Sequence, residues 1–121
     1  MVMQLKIIRV HSHGDVGNER VWMKVTGDCD LSDYAVFDST YDDDGNVSNK
    51  NRHVFWFPSQ NVETGDFVSL RTGKGKDKTL VNDDGNTVHR FHWGLGTSVW
   101  NDDGDVATLV RINEWVSNQV K

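Results

Sequence analysis

Residues 91–109 read FHWGLGTSVWNDDGDVATL. Phe91 and Trp93 end a run that begins at Thr87, and Trp100 opens Asn101-Asp102-Asp103-Gly104. In turns, Asn and Asp side chains hydrogen-bond nearby backbone, and Gly accepts positive φ, so this tetrapeptide has turn composition. The alternating run 105–112 follows. The block therefore predicts strand, turn and strand rather than helix. It carries no nucleophile and base at a recognised spacing, no zinc pattern and no phosphate loop.

The same grammar extends outward in both directions. Residues 4–10 (QLKIIRV) form a short β-branched run broken by His11-Ser12-His13-Gly14. In residues 20–26, Val21, Met23 and Val25 share one face, and Trp22, Lys24 and Thr26 the other, which is the signature of a half-buried strand. Residues 27–30 read as a turn leading through Leu31-Ser32-Asp33 into a strand at 34–38. Residues 41–52 (YDDDGNVSNKNR) read as a long polar loop, a type of segment that often carries function. Strands are expected at 53–57, stopped by Pro58, the only proline, and at 67–71 after Gly65-Asp66. Asn82-Asp83-Asp84-Gly85 predicts a type I′ hairpin turn into 87–93, and Asn113-Glu114 a turn into a last strand at 115–120. No window keeps a 3.6-residue apolar period over three turns. About seven to nine short strands with regular turn signals predict an all-β antiparallel sandwich filling a single domain, 1–121.

Composition bounds the rest. A chain of 121 residues suits one core, and five Trp with five Phe offset an apolar share of only 36%. Cys29 is the sole cysteine, so no internal disulfide forms, and a small half-buried role is expected for it. The net charge of −5 argues against nucleic acid as a general partner, and the absence of a long apolar run argues against membrane insertion.

The candidate chemistry is sparse. His11 and His13 would share a face, while His89 and His92 would fall on opposite faces of a strand, and neither pair has zinc spacing. From Asp42, the sixth and twelfth positions of a calcium loop are Val47 and His53 rather than Gly and Glu. That leaves only an irregular calcium site across the clustered Asp loops. No cofactor, metal or catalytic residue is assigned. Residues 71–78 (RTGKGKDK) lack the Walker pattern, but Arg71, Lys74 and Lys76 offer cations to an acidic partner. If the alternation holds, Trp22 and Trp56 both face outward, and an outward Trp marks an interaction surface.

Several blocks, in order, resemble a known family. These are Asn18-Glu19 ahead of Val21, Met23 and Val25, then Leu31-Ser32-Asp33-Tyr34, then Phe55-Trp56-Phe57-Pro58 with Gly65-Asp66-Phe67-Val68-Ser69-Leu70, and Trp100-Asn101-Asp102-Asp103-Gly104-Asp105. Together, over residues 18–115, they resemble the lamin tail domain, an immunoglobulin-like sandwich of nuclear lamins that also occurs within bacterial proteins. The chain departs from that pattern after Leu109, with Arg111 and Asn113-Glu114 where the family has an acidic residue and a Gly turn. The resemblance implies an immunoglobulin-like fold and a role in holding partners. The expectation is a non-enzymatic, protein-binding module with Trp22, Trp56, Arg71, Lys74 and Lys76 as ligand-binding residues. A carbohydrate-binding sandwich using exposed Trp is the second reading, and nucleic acid held by the 71–78 loop the third.

Overall fold

The computed structural model describes residues 2–40, 53–100 and 105–120. Ten strands follow in chain order: β1 (Leu5–His11), β2 (Arg20–Val25), β3 (Cys29–Asp30), β4 (Tyr34–Thr40), β5 (Val54–Trp56), β6 (Asn61–Val62), β7 (Phe67–Arg71), β8 (Lys78–Val81), β9 (Thr87–His92) and β10 (Asp105–Arg111). A single 3₁₀ turn, Leu31–Asp33, precedes β4. The strands form a five-stranded sheet, β1-β2-β7-β9-β8, a three-stranded sheet, β10-β4-β5, and a small β3-β6 pair. Among the described residues no helix is long and apolar enough to cross a membrane.

The two larger sheets pack face to face because each strand alternates. Val21, Met23 and Val25 of β2 are fully buried, as are Val68 and Leu70 of β7. Tyr34 and Val36 of β4 meet them from the other sheet, with Phe55, Ala107 and Leu109 packed against the same core. Phe57, Phe91, Val99 and Trp100 complete it, with Phe57 and Phe91 edge to face at 5.2 Å. The fold is thus an all-β sandwich.

Several local expectations are revised. Residues 29–30, read as part of a turn, form β3, whose partners are Val62 and Asn61 of β6. Every pairing is antiparallel except β7–β9, which is parallel. After β7 the chain crosses to the sheet edge as β8 and returns as β9 between the two, so β9 must run with β7. The hairpin 82–85 forms, with Asn82 Oδ1 accepting from the backbone N–H of Asp84 and Asn86. Only Gly85 there has positive φ (83°), whereas a type I′ turn needs two such residues. Residues 112–120 pair with no strand, so the last strand expected at 115–120 does not form, and Trp115 is 65% exposed. The Asp-rich loop 41–52 and the turn 101–104, with the calcium reading placed on them, lie outside the described residues.

Two acidic side chains hold the ends of the sandwich. Glu19 is completely buried. Its Oε1 accepts from the Gly14 N–H at 3.0 Å, and its Oε2 accepts from the Thr72 hydroxyl and from the N–H groups of Val99 (2.8 Å) and Trp100 (3.3 Å). One carboxylate thereby joins the β1–β2 loop, the end of β7 and the approach to β10. Asp30 caps the 3₁₀ turn by accepting from Ser32 N–H, and also accepts from Gln60 N–H and the Ser59 hydroxyl. The Ser32 N–H and then the Ser59 hydroxyl hold its carboxyl at about 2, against an ordinary value of 3.8.

Because that value is depressed on folding, the Asp30 contribution is complete above about pH 4 and is lost as pH falls toward 2. Asp30→Asn should therefore lower the urea midpoint at pH 6, with the gap from the parent chain closing by about pH 2. A gap of constant size would contradict this assignment.

Candidate functional site

The register of the five-stranded sheet gathers one kind of side chain on its outer face. His11, Arg20, Arg71 and His92 are partners across β1, β2, β7 and β9. One step along, Arg9, Trp22, Ser69, Arg90 and Lys78 form a second row, and Lys6, Lys24, Phe67, Val88 and Leu80 a third. A β-bulge at Ile8 shifts the register of the first strand, so that Arg9 and His11 stand opposite outward-facing Trp22 and Arg20. With strands about 4.8 Å apart, the face spans about 20 Å across. Seven of the chain's 13 Lys and Arg residues stand on it, and none of the five strands contains an Asp or Glu.

These cations are poorly compensated. Arg20 Nη1 donates to the Asn18 carbonyl at 2.9 Å, and Lys24 Nζ lies 5.9 Å from the centre of the Phe67 ring. Arg71 and Arg90 are half-buried, and the Nε–H of each is shielded from water with no acceptor. Among the described residues, no Lys or Arg comes within ion-pair distance of a carboxylate; the close side-chain contacts to carboxylates there come from histidine rings. Burial, then Arg90 and Arg20, push the Arg71 guanidinium below its ordinary range. His11 is likewise lowered, first by burial and then by Arg20 and Arg9. Directly opposed like charges destabilise a sheet, so this face is an electrostatic liability to the unliganded fold.

The expected site residues divide between two surfaces. Trp22 and Arg71 belong to the cationic face. Lys74 and Lys76 are exposed on the loop that leaves it. That loop is held rather than loose: Asp77 Oδ1 accepts from the His92 N–H at 2.8 Å, and Gly73 carbonyl from Gly94 N–H. At Gly73 a Cβ would run into the Val16 backbone carbonyl at 2.8 Å, so that position needs glycine, while at Gly75 a Cβ would displace the His92 imidazole. Trp56 faces outward from the other sheet, 43% exposed, with its Nε1–H donating to the Ser32 carbonyl and Trp115 edge-on at 5.0 Å. The two outward tryptophans therefore share no patch. Trp22 itself is only half-buried, stacked on Phe67 at 5.0 Å and 16°, with His11 edge-on at 6.4 Å.

Local sequence patterns do not single out Lys6, Arg9, Arg20, Lys24, Lys78 or Arg90 as site residues. The signal for them is present, since the strand sequences LKIIRVH, RVWMKV, FVSLR, KTLV and TVHRFH hold cations and no acid. Their assembly on one face needs the pairing order, which no local pattern supplies.

The remaining polar clusters serve other ends. His89, 7% exposed, faces Asp66 Oδ2 through Nε2 at 2.8 Å and Gln60 Nε2 through Nδ1 at 2.7 Å, with the Thr79 hydroxyl 3.2 Å from Nδ1. Donation from Gln60 makes Nδ1 the acceptor and leaves Nε2–H for Asp66. Both ring nitrogens are engaged, tying the β6–β7 connection to β8 and β9. His53 bonds Asp38 through its N–H (2.7 Å) and Nδ1 (2.9 Å) and meets Trp93 edge to face. Burial, with Asp33 and Asp30, pushes the Cys29 thiol up, away from thiolate chemistry. Comparison of the chain with known protein families, with characterised proteins and with solved structures returned no match.

Proposed function

We propose that the chain is a non-enzymatic binding module that holds an acidic segment of a partner protein against the outer face of the five-stranded sheet. The observation that carries this reading is the placement of seven cations and no carboxylate on one face of a chain whose net charge is −5. Such segregation leaves repulsion that a ligand of opposite sign relieves, and complementary charge steers partner encounter. The likeness of residues 18–115 to lamin tail domains, which hold partners, points the same way. Phe67 takes one face of the Trp22 ring, which reduces the platform that ring offers a sugar.

Calorimetric titration with a Glu-rich peptide should give saturable binding that weakens steeply between 50 and 200 mM salt, as expected when exposed charges dominate (Debye length roughly 14 to 7 Å). A Lys-rich peptide of equal length should not bind. Salt-insensitive binding, or equal binding of both peptides, would reject the reading.

A further inference from the structure

We infer that Arg20, Arg71 and Arg90 form a receptor for a phosphate monoester, carried by a phosphorylated side chain of the partner. The inference rests on the cationic face proposed above and adds the chemistry of its centre. The three arginines come from β2, β7 and β9, three adjacent strands. Arg20 is the register partner of Arg71, and Arg90 partners Ser69, two residues before Arg71 on β7, so Arg90 lies diagonal to Arg71. Ser69, 2% exposed, forms the floor between them.

What this trio lacks is an acceptor. The Nε–H groups of Arg71 and Arg90 are buried without an acceptor, an uncommon state in folded proteins, and among the described residues neither guanidinium is held by a carboxylate. The charged groups around them are cations or imidazoles, namely Arg9, Lys78, His11 and His92; the acid bonded at this margin, Asp77, is engaged with His92. A carboxylate would bring one charge to three guanidinium groups. A phosphate monoester brings roughly −1.5 to −2 and three acceptor oxygens, which match several planar N–H forks at once. A nucleic-acid strand matches less well, because single-strand binding relies on several aromatic faces for stacking successive bases, and on this face Phe67 takes one side of Trp22.

The test uses the full chain and the peptide Gly-Glu-Gly-Ser-Gly-Glu-Gly, with its serine phosphorylated, unmodified or replaced by Glu. The phosphorylated form should bind at least about tenfold more tightly than the Glu form. Arg71→Met and Arg90→Met should remove that preference, and Arg90→Lys, which keeps the charge but not the fork, should remove most of it. Arg111→Met, on β10 of the other sheet, should leave it intact. Inorganic phosphate, followed by NMR titration of His11, should raise the pKa of that imidazole by neutralising its cationic neighbours, which gives a readout independent of peptide affinity.

Equal affinity for the phosphorylated and Glu peptides, with both binding, would overturn the phosphate receptor and leave the proposed function standing. A phosphate-induced rise at His11 without binding of any peptide would overturn the phosphopeptide receptor and the acidic-protein reading together. Tighter binding of oligothymidylate than of the phosphopeptide would overturn the inference in favour of nucleic acid.

Discussion

Glu19→Ala is expected to lower the unfolding free energy by about 3–5 kcal/mol, because each buried donor left without an acceptor costs about 1–3 kcal/mol and part of the loss is offset by relief of the buried charge. The substitution strands the N–H groups of Gly14, Val99 and Trp100, and the Thr72 hydroxyl loses its acceptor. These donors belong to three separate parts of the chain, so the damage is to the closure of the sandwich and not to one loop. Glu19→Gln keeps one oxygen. With that oxygen toward Val99 and Trp100, only the Gly14 N–H loses its acceptor, and because Gly14 is exposed to water a loss of about 0.5–1.5 kcal/mol follows. Urea unfolding gives the comparison directly, as a midpoint shift at unchanged slope. A loss below about 1 kcal/mol for Glu19→Ala would show that the carboxylate is not the clamp its geometry describes.

Trp100→Ala should cost about 3–5 kcal/mol, the usual range for deleting a buried large aromatic side chain. Trp100 is 3% exposed in the core and meets Trp93 at 6.2 Å. Its indole Nε1–H is buried without a partner. Trp100→Phe removes that orphaned donor while retaining an aromatic ring, so its cost should be well under half that of Trp100→Ala. The same urea experiment decides it. Equal losses for the two variants would mean that the indole N–H has a partner this geometry does not provide.

Much of the sandwich was legible because alternation carries directly into burial. Val21, Met23 and Val25 point inward, and Trp22 and Lys24 outward, as the spacing requires. The aromatic ends of the 91–109 block behave likewise, with Phe91 and Trp100 buried. Pairing was not legible. Nothing local in Phe67–Arg71 or Thr87–His92 says that they lie side by side and parallel, because β8 separates them in the chain but not in the sheet. Without that pairing, Arg20, Arg71 and Arg90 are three unrelated arginines. The expected strand at 115–120 failed for the opposite reason: Trp115 and Val116 look strand-like, yet the chain there meets no ladder partner. Trp22 and Trp56 were correctly read as outward-facing, but outwardness alone does not say which sheet a residue stands on.

The assignment of the partner surface is tested most directly by mapping backbone and indole N–H shifts of isotope-labelled protein during titration with the Glu-rich peptide. Binding on the five-stranded sheet predicts the largest changes at Trp22, Lys24, Ser69, Arg71 and Arg90, with β4, β5 and β10 nearly silent. Changes concentrated at Val54, Trp56 and Trp115, with the cationic face unmoved, would contradict the account.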